Sequence, residues 1–434
     1  MQNWPEDVCF YILSYCDPID TIQYCLISKT FLSASKHVPL SLRLNCHTFV
    51  NVANGHLFDR LSVRELEITT RSRRTIRRIP TETLASCKSL GGLTSLTLVD
   101  YFMDIECVNT LAKSPLLGQL KRLHIHRSFM NDAKWNALLD SPFLTQLTDL
   151  DFTQNSTNIL PLSAILNSKI SVEHLTVIGC GYGSVYDLEQ LLKLNQVLKR
   201  LHVSSLNLDS VQLLASSSAA SNLTELSKFD NIGGEGLKLI TSSTNLKNLT
   251  KLDLSHNALH DTSVKTIVNM NHLTSLDLSR NDIGSETIQI LASSRSLSKL
   301  KKLNVSHTTI GDEGVKYIAY SPFMKNLTKL IAQSVNGTNF SCIGTSANMS
   351  NLVELDVRMN ENISDESIHA ILNSTVLHKL TRLLIMENDD RVAFLIENSS
   401  LFFNLEHWSP KRIQYGVDDN FLTRAVDYLI GLFK

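Results

Sequence analysis

One spacing, L-x-x-L-x-L, returns about every 24 to 30 residues from residue 63 to residue 408. It is clearest in Leu249-Thr250-Lys251-Leu252-Asp253-Leu254 and in Leu273-Thr274-Ser275-Leu276-Asp277-Leu278. Further copies begin at Val63, Leu93, Leu120, Leu147, Val172, Leu198, Leu223, Leu300, Leu327, Leu352, Leu380 and Leu405, and a degenerate one near Pro39. In most copies the fourth and sixth positions alternate with polar residues, the period of a half-buried strand. One strand and one return segment cannot bury their apolar residues alone. Stacked on its neighbours, each unit shares a continuous core, so the strands must run parallel along one side.

The return segments read as helices. Ile283 to Thr287 and Ile310 to Gly314 lead into apolar faces, Ile288, Leu291 and Ala292 in one repeat and Val315, Ile318 and Ala319 in another. Acidic residues at these starts suit the positive end of the helix dipole. Period and pattern resemble leucine-rich repeats of the ribonuclease-inhibitor-like subclass. That resemblance implies an α/β fold: one curved leucine-rich repeat solenoid with concave parallel strands and convex helices, over residues 39–410. Three stretches break the pattern. The copy at Leu223 runs on as Ser227-Lys228-Phe229, one residue short. Residues 331–350 become rich in Asn, Gly and Ser, and residues 69–90 form a longer repeat carrying Arg71, Arg73, Arg74, Arg77 and Arg78. Residues 411–434 are expected to form a capping helix, with Asp418 as N-cap and Phe421, Leu422, Ala425, Val426, Leu429 and Ile430 as its apolar stripe.

Residues 1–38 are different in kind. Pro5, Glu6 and Asp7 suit a helix start, and Val8, Tyr11, Ile12 and Tyr15 follow at helical spacing. Asp17-Pro18 breaks that helix; Ile19, Ile22, Leu26 and Ile27 mark a second, and Phe31, Leu32 and Ala34 a third. Three helices in roughly 35 residues cannot hide all their apolar surface alone. The spacing Trp4-Pro5, Ile12-Leu13, Asp17-Pro18-Ile19-Asp20, Leu26-Ile27 and Ser28-Lys29-Thr30-Phe31 resembles an F-box. Trp4 stands for the usual leucine, and Val38-Pro39-Leu40 replaces the tryptophan often found near the end. The resemblance implies a non-catalytic substrate receptor of a Skp–cullin–F-box ubiquitin ligase. Trp4, Pro5, Ile12, Ile22, Leu26 and Ile27 would face a Skp-family adaptor in the cullin complex, and the repeats would hold an unknown protein substrate.

Charge and cysteine usage bound the alternatives. The net charge of -1 over 434 residues gives no global field for nucleic acid or a membrane surface. No apolar run reaches the 18 or so residues of a membrane span, the N-terminus lacks a secretory pattern, and cytoplasmic or nuclear residence is expected. The eight cysteines form no CxxC pair and read as small buried hydrophobes in a reducing compartment. Asn-x-Ser/Thr triplets at Asn248 and Asn326 fall where each repeat turns into its strand, so they read as turn residues rather than glycan acceptors.

The intervening positions of each strand should point away from the core. That register places Arg122, His124 and His126 beside Asp149, Asp151 and Thr153, then His174 and Thr176, then Arg200 and His202. This histidine-rich, mixed-charge patch is the expected partner surface. Polar residues line such faces in every repeat, so no metal and no cofactor are expected there. The arginine cluster at 71–78 could take a phosphorylated or acidic partner or serve nuclear import, but a solvated loop is the favoured explanation. Val177 to Gly183 departs from a dinucleotide loop, because Ser184 stands where a third glycine is required. No hydrolase elbow, Walker loop, zincin or zinc-finger spacing occurs. A scaffold or inhibitor without ligase coupling, and a Ran-class GTPase-activating protein, remain the rival readings.

Overall fold

The computed structural model describes residues 39–54, 58, 61–69, 77–78, 80–155, 164–165, 168, 170–177, 185–194, 197–229, 231–361, 363–385, 395, 399, 405 and 407–408. The F-box-like module, the capping helix, Arg71, Arg73, Arg74 and the 178–184 loop lie outside them. The described residues form two compact units that divide between Val197 and Leu198.

In the first unit the strands are β1 (Pro39–Asn45), β2 (Ser62–Thr69), β3 (Arg77–Arg78), β4 (Ser95–Val99), β5 (Tyr101–Phe102), β6 (Arg122–His126), β7 (Asp149–Asp151) and β8 (His174–Val177). β1, β2, β4, β6, β7 and β8 pair in that order, all parallel. The two-residue strands β3 and β5 pair separately, so the arginine-rich stretch contributes a small second ladder. Leu42, Leu66, Leu96, Leu123, Leu150 and Leu175 meet in register as one column. All six are buried. The core is closed by Trp135 and Phe152, whose rings meet edge to face with centroids 4.2 Å apart.

The second unit repeats the plan with β9 (Arg200–Leu206), β10 (Glu225–Phe229), β11 (Lys251–Asp253), β12 (Ser275–Asp277), β13 (Lys302–Asn304), β14 (Lys329–Ile331), β15 (Glu354–Asp356), β16 (Arg382–Leu384) and β17 (His407–Trp408). Successive strands pair in parallel. Its buried column runs Leu201, Leu226, Leu252, Leu276, Leu303, Leu330, Leu355 and Leu383. The repeat one residue short shows its effect here. The β9–β10 register shifts between Ser227 and Phe229, which brings Phe229 opposite Leu206. Both units thus have the architecture of a leucine-rich repeat solenoid.

The return segments are helical but uneven. Ser285–Ala292 and Gly311–Tyr320 bury the expected faces, with Ile288, Leu291, Val315, Ile318 and Ala319 all at most 1 % exposed. Asp261–Val264 has only one α-turn before it tightens into a 3-10 helix at Lys265–Asn269. This is the shortest repeat, and Thr262, Val264, Thr266, Ile267 and Val268 lose side-chain freedom in a helix. Ser341–Thr345 is nearly as brief, in the stretch where the helical pattern was lost. A Cβ on Gly344 would sit 2.2 Å from the Ala370 carbonyl oxygen, so this helix presses its backbone directly against the next.

Two polar ladders cross the repeat boundaries. At the strand side, Asn155, Asn257, Asn281 and Asn360 are buried. Asn281 Nδ2 donates to the Leu254 and Leu278 carbonyls at 2.9 Å, while its Oδ1 accepts from the Asn257 and Leu259 amides at 2.9 and 3.1 Å. The residue preceding each of these asparagines, Gln154, His256, Arg280 or Met359, has φ between 54° and 64°. At the helix side, a serine after several of the helices donates to one of the last carbonyls of the preceding one. Ser141 Oγ reaches Ala112 O, Ser243 reaches Ala215 O and Ser346 reaches Ala319 O, each at 2.6 Å. Helix C-termini otherwise leave these carbonyls unmatched. The triplet asparagines join in: Asn248 Nδ2 donates to Ser221 O at 2.8 Å and Asn326 Nδ2 to Ser298 O at 2.7 Å.

Candidate functional site

A strand one repeat wide exposes its alternate residues to neighbours on both sides, so polar groups on that face meet across strands. In the first unit Arg122, His124 and His126 project from β6, Asp149 and Asp151 from β7, and His174 from β8. All six are half-buried rather than fully exposed. Crowding between adjacent strands accounts for this.

Asp149 stands between two imidazoles. Its Oδ1 lies 3.2 Å from His124 Nε2 and its Oδ2 lies 3.5 Å from His174 Nδ1. Asp151 Oδ1 accepts from the Thr153 amide at 2.8 Å and from the Thr153 hydroxyl at 2.5 Å. Its Oδ2 lies 3.1 Å from His126 Nε2. That contact is close but not aligned as a hydrogen bond, and His126 Nε2 has no hydrogen-bond partner. Burial favours the neutral Asp151 acid, but His126 and Thr153 outweigh it and hold the carboxyl below the usual aspartate range. The His124 and His126 rings stack, with centroids 5.9 Å apart and planes 13° apart. Arg122 turns away from this group and pairs with Glu65 on β2.

The second unit places Arg200 and His202 on β9. Glu225 of β10 is clamped between Arg200 Nε at 2.7 Å and Lys251 Nζ at 2.5 Å. The same arrangement recurs at Glu354, 3.0 Å from Lys329 Nζ and 3.5 Å from Arg382 Nε. Burial raises the Glu225 pKa, yet the two cations prevail and hold it below its ordinary value of 4.5. The folded state therefore resists protonation more than the unfolded chain does. This contribution is complete above pH 4.5 and is lost as pH falls through the lowered folded value. Glu225→Gln is expected to cost about 1 kcal/mol at pH 7, because its partners are partly solvated. The gap between parent and variant urea midpoints should narrow below pH 4.5 and close once the pH has fallen below the lowered folded value. A gap that persists there would show that charge is not its source.

Of the seven partner-surface residues expected from the sequence, Arg122, His124, His126, Asp151 and His174 lie in the first unit and Arg200 and His202 in the second. The structure brings His124, His126, Asp151 and His174 together around two carboxylates and sends Arg122 elsewhere. The expected adaptor-facing residues Trp4, Pro5, Ile12, Ile22, Leu26 and Ile27 lie outside the described residues. Glu65 and Glu225 were not singled out by the sequence, although both occupy the third position of their L-x-x-L-x-L copies, as Arg122 and Arg200 do. Among the described cysteines no disulfide forms, and burial pushes the Cys342 thiol up to about 11. Among the described residues no helix is long and apolar enough to cross a membrane.

Two leucine rich repeat family models match this chain, one over residues 241–283 and one over 296–319 and 348–372. No curated protein sequence matches it. Among solved structures it is similar to a chain of the Rad7 and Elc1 complex from yeast, with 17 % identity, 87 % of this chain and 92 % of that chain covered, and a TM-score of 0.54. It is also similar to an internalin (inlF) from Listeria monocytogenes, with 16 % identity, 90 % and 93 % coverage and a TM-score of 0.38.

Proposed function

We propose that this leucine-rich repeat protein is the substrate receptor of a Skp–cullin–F-box ubiquitin ligase, and that it is not itself an enzyme. Residues 1–38 dock the Skp-family adaptor, and the polar strand face of the repeats holds a protein target. Ubiquitin transfer is then a matter of proximity, since holding the target near a charged conjugate raises its effective concentration. The observation that carries this reading is the spacing of Pro5, Ile12-Leu13, Asp17-Pro18 and Ser28-Lys29-Thr30-Phe31 immediately ahead of β1. Two facts support it. The strand faces present mixed charge and imidazole side by side, the composition of a surface that reads a protein partner by complementarity rather than one that performs chemistry. The yeast chain of similar fold comes from a complex of two proteins.

The test is calorimetry of the full chain against a Skp-family adaptor. Apolar anchors dominate such interfaces, and truncating one costs about 2 kcal/mol or more. The double variant Trp4→Ala, Pro5→Ala is therefore expected to bind at least about thirtyfold more weakly. Its repeats should unfold as in the parent, because distant repeats contact only their neighbours. If the parent does not bind, or the variant binds equally well, the chain is a scaffold without ligase coupling.

A further inference from the structure

We propose that His124, His126 and Asp151 form a binding site for a divalent transition metal ion of the zinc class, on the strand face of the first unit. From the sequence a metal was conceivable here, since His and Asp are ligands, but not expected, because polar residues line every such face. The geometry supplies the reason. His124 and His126 alternate on β6, so both imidazoles stand on one side of the strand. Asp151 is the direct β7 neighbour of His124 in the parallel register. One donor atom from each of the three residues lies within 4.8 Å of the others. Tetrahedral zinc with bonds near 2.1 Å needs donors about 3.4 Å apart, a closure that small side-chain rotations provide. His126 Nε2 and Asp151 Oδ2 already stand 3.1 Å apart, close to one edge of that polyhedron.

The surroundings fit as well. Thr153 occupies Asp151 Oδ1 and leaves Oδ2 directed at His126. The buried His126 Nε2 lacks a hydrogen bond, which a metal ion would replace. Asp149 Oδ1 holds His124 Nε2 at 3.2 Å, so His124 would ligate through Nδ1, with the carboxylate on the other ring nitrogen as is common for metal-bound imidazoles. The nearby cations are engaged elsewhere, Arg122 with Glu65 and Arg127 with Asp100 at 2.7 Å. By contrast, Glu225 and Glu354 in the second unit are neutralised by arginine and lysine. Two nitrogens and one oxygen favour zinc and its neighbours over magnesium or calcium, which select oxygen. Three protein ligands leave a fourth position for water or for a donor from a bound protein.

The experiment is calorimetric titration of zinc chloride into the full chain after chelator treatment and buffer exchange. One ion per chain is expected to bind, at about micromolar affinity or tighter. Magnesium should give no heat at the same concentrations. Cobalt(II) should give the visible bands of a tetrahedral site. Asp151→Asn, which keeps the Thr153 contacts, and the double variant His124→Gln, His126→Gln should each weaken zinc binding at least about a hundredfold, and Asp149→Asn about tenfold. His272→Gln, an exposed histidine elsewhere, should bind as the parent does. The chain has 14 histidines, so weak binding at several scattered places is the competing outcome. Multiple weak sites, or parent-like binding by the variants, would overturn the proposal. Circular dichroism confirms that each variant is folded. If the double variant is not, Asp151→Asn and loss of the cobalt bands in His126→Gln decide the matter.

Discussion

Asn281→Ala should destabilise the second unit by about 3 to 5 kcal/mol, more than its small volume suggests. Asn281 is 5 % exposed, and its side-chain amide serves two repeats at once. Removing it strips the Asn257 and Leu259 amides of their acceptor and the Leu254 and Leu278 carbonyls of a donor. Each buried group left unsatisfied costs about 1 to 3 kcal/mol, less where water enters. The αL backbone at Arg280, with φ of 56°, is held in part by this side chain and should relax. Asn269→Ala, on an exposed 3-10 turn, is the matched control and should lie within about 0.5 kcal/mol of the parent. The measurement is urea unfolding, supplemented by amide exchange at residues 254 to 259. Equal midpoints for the two variants would mean that the buried asparagine contributes nothing beyond its volume.

Leu276→Ala should cost about 2 to 5 kcal/mol. Leu276 is 1 % exposed and lies between Leu252 and Leu303 in the buried column. A repeat cannot slide to fill the gap, because strand hydrogen bonds hold Leu276 in register with both neighbours. The cost should therefore sit toward the upper part of that range. Lys302→Ala, on the exposed register of the next strand, should be nearly silent, within about 0.5 kcal/mol. Comparable losses from Leu276 and Lys302 in the same titration would mean that the strand faces are assigned the wrong way round.

The leucine columns and the helix faces at Ile288 and Val315 were legible in the sequence for one reason. Burial imposes a period, and a period survives in a string of letters. Pairing on the polar face leaves no such trace. Arg122 reaches Glu65 across an intervening strand, where Ser95 is paired with both, and a small side chain there leaves the path open. No local pattern encodes a contact between residues 57 positions apart. The His126–Asp151 contact is equally silent, since the sequence aligns strands but does not orient rings. The shortened repeat at Ser227 was visible as a missing residue, whereas its result, a register shift toward Leu206, depends on the neighbouring strand. The brevity of the helix Asp261–Val264 left no mark in the apolar spacing, which is that of a full helix; its β-branched composition is what opposes a longer one.

The serine bridges carry a consequence for how such a chain can change length. Ser114, Ser141, Ser321 and Ser374 each find their carbonyl 29 or 30 residues earlier, and Ser243 and Ser346 find theirs 28 and 27 earlier. In these six repeats donor and acceptor therefore return at the same place. A duplication or loss of one whole repeat presents each new junction with the partners it already requires. An insertion that takes the separation outside this span of 27 to 30 residues does not, because it carries the serine past its carbonyl. Copying errors of one full period are thus the ones this architecture absorbs. Through them a lineage can lengthen or shorten the face it offers without redesigning any junction.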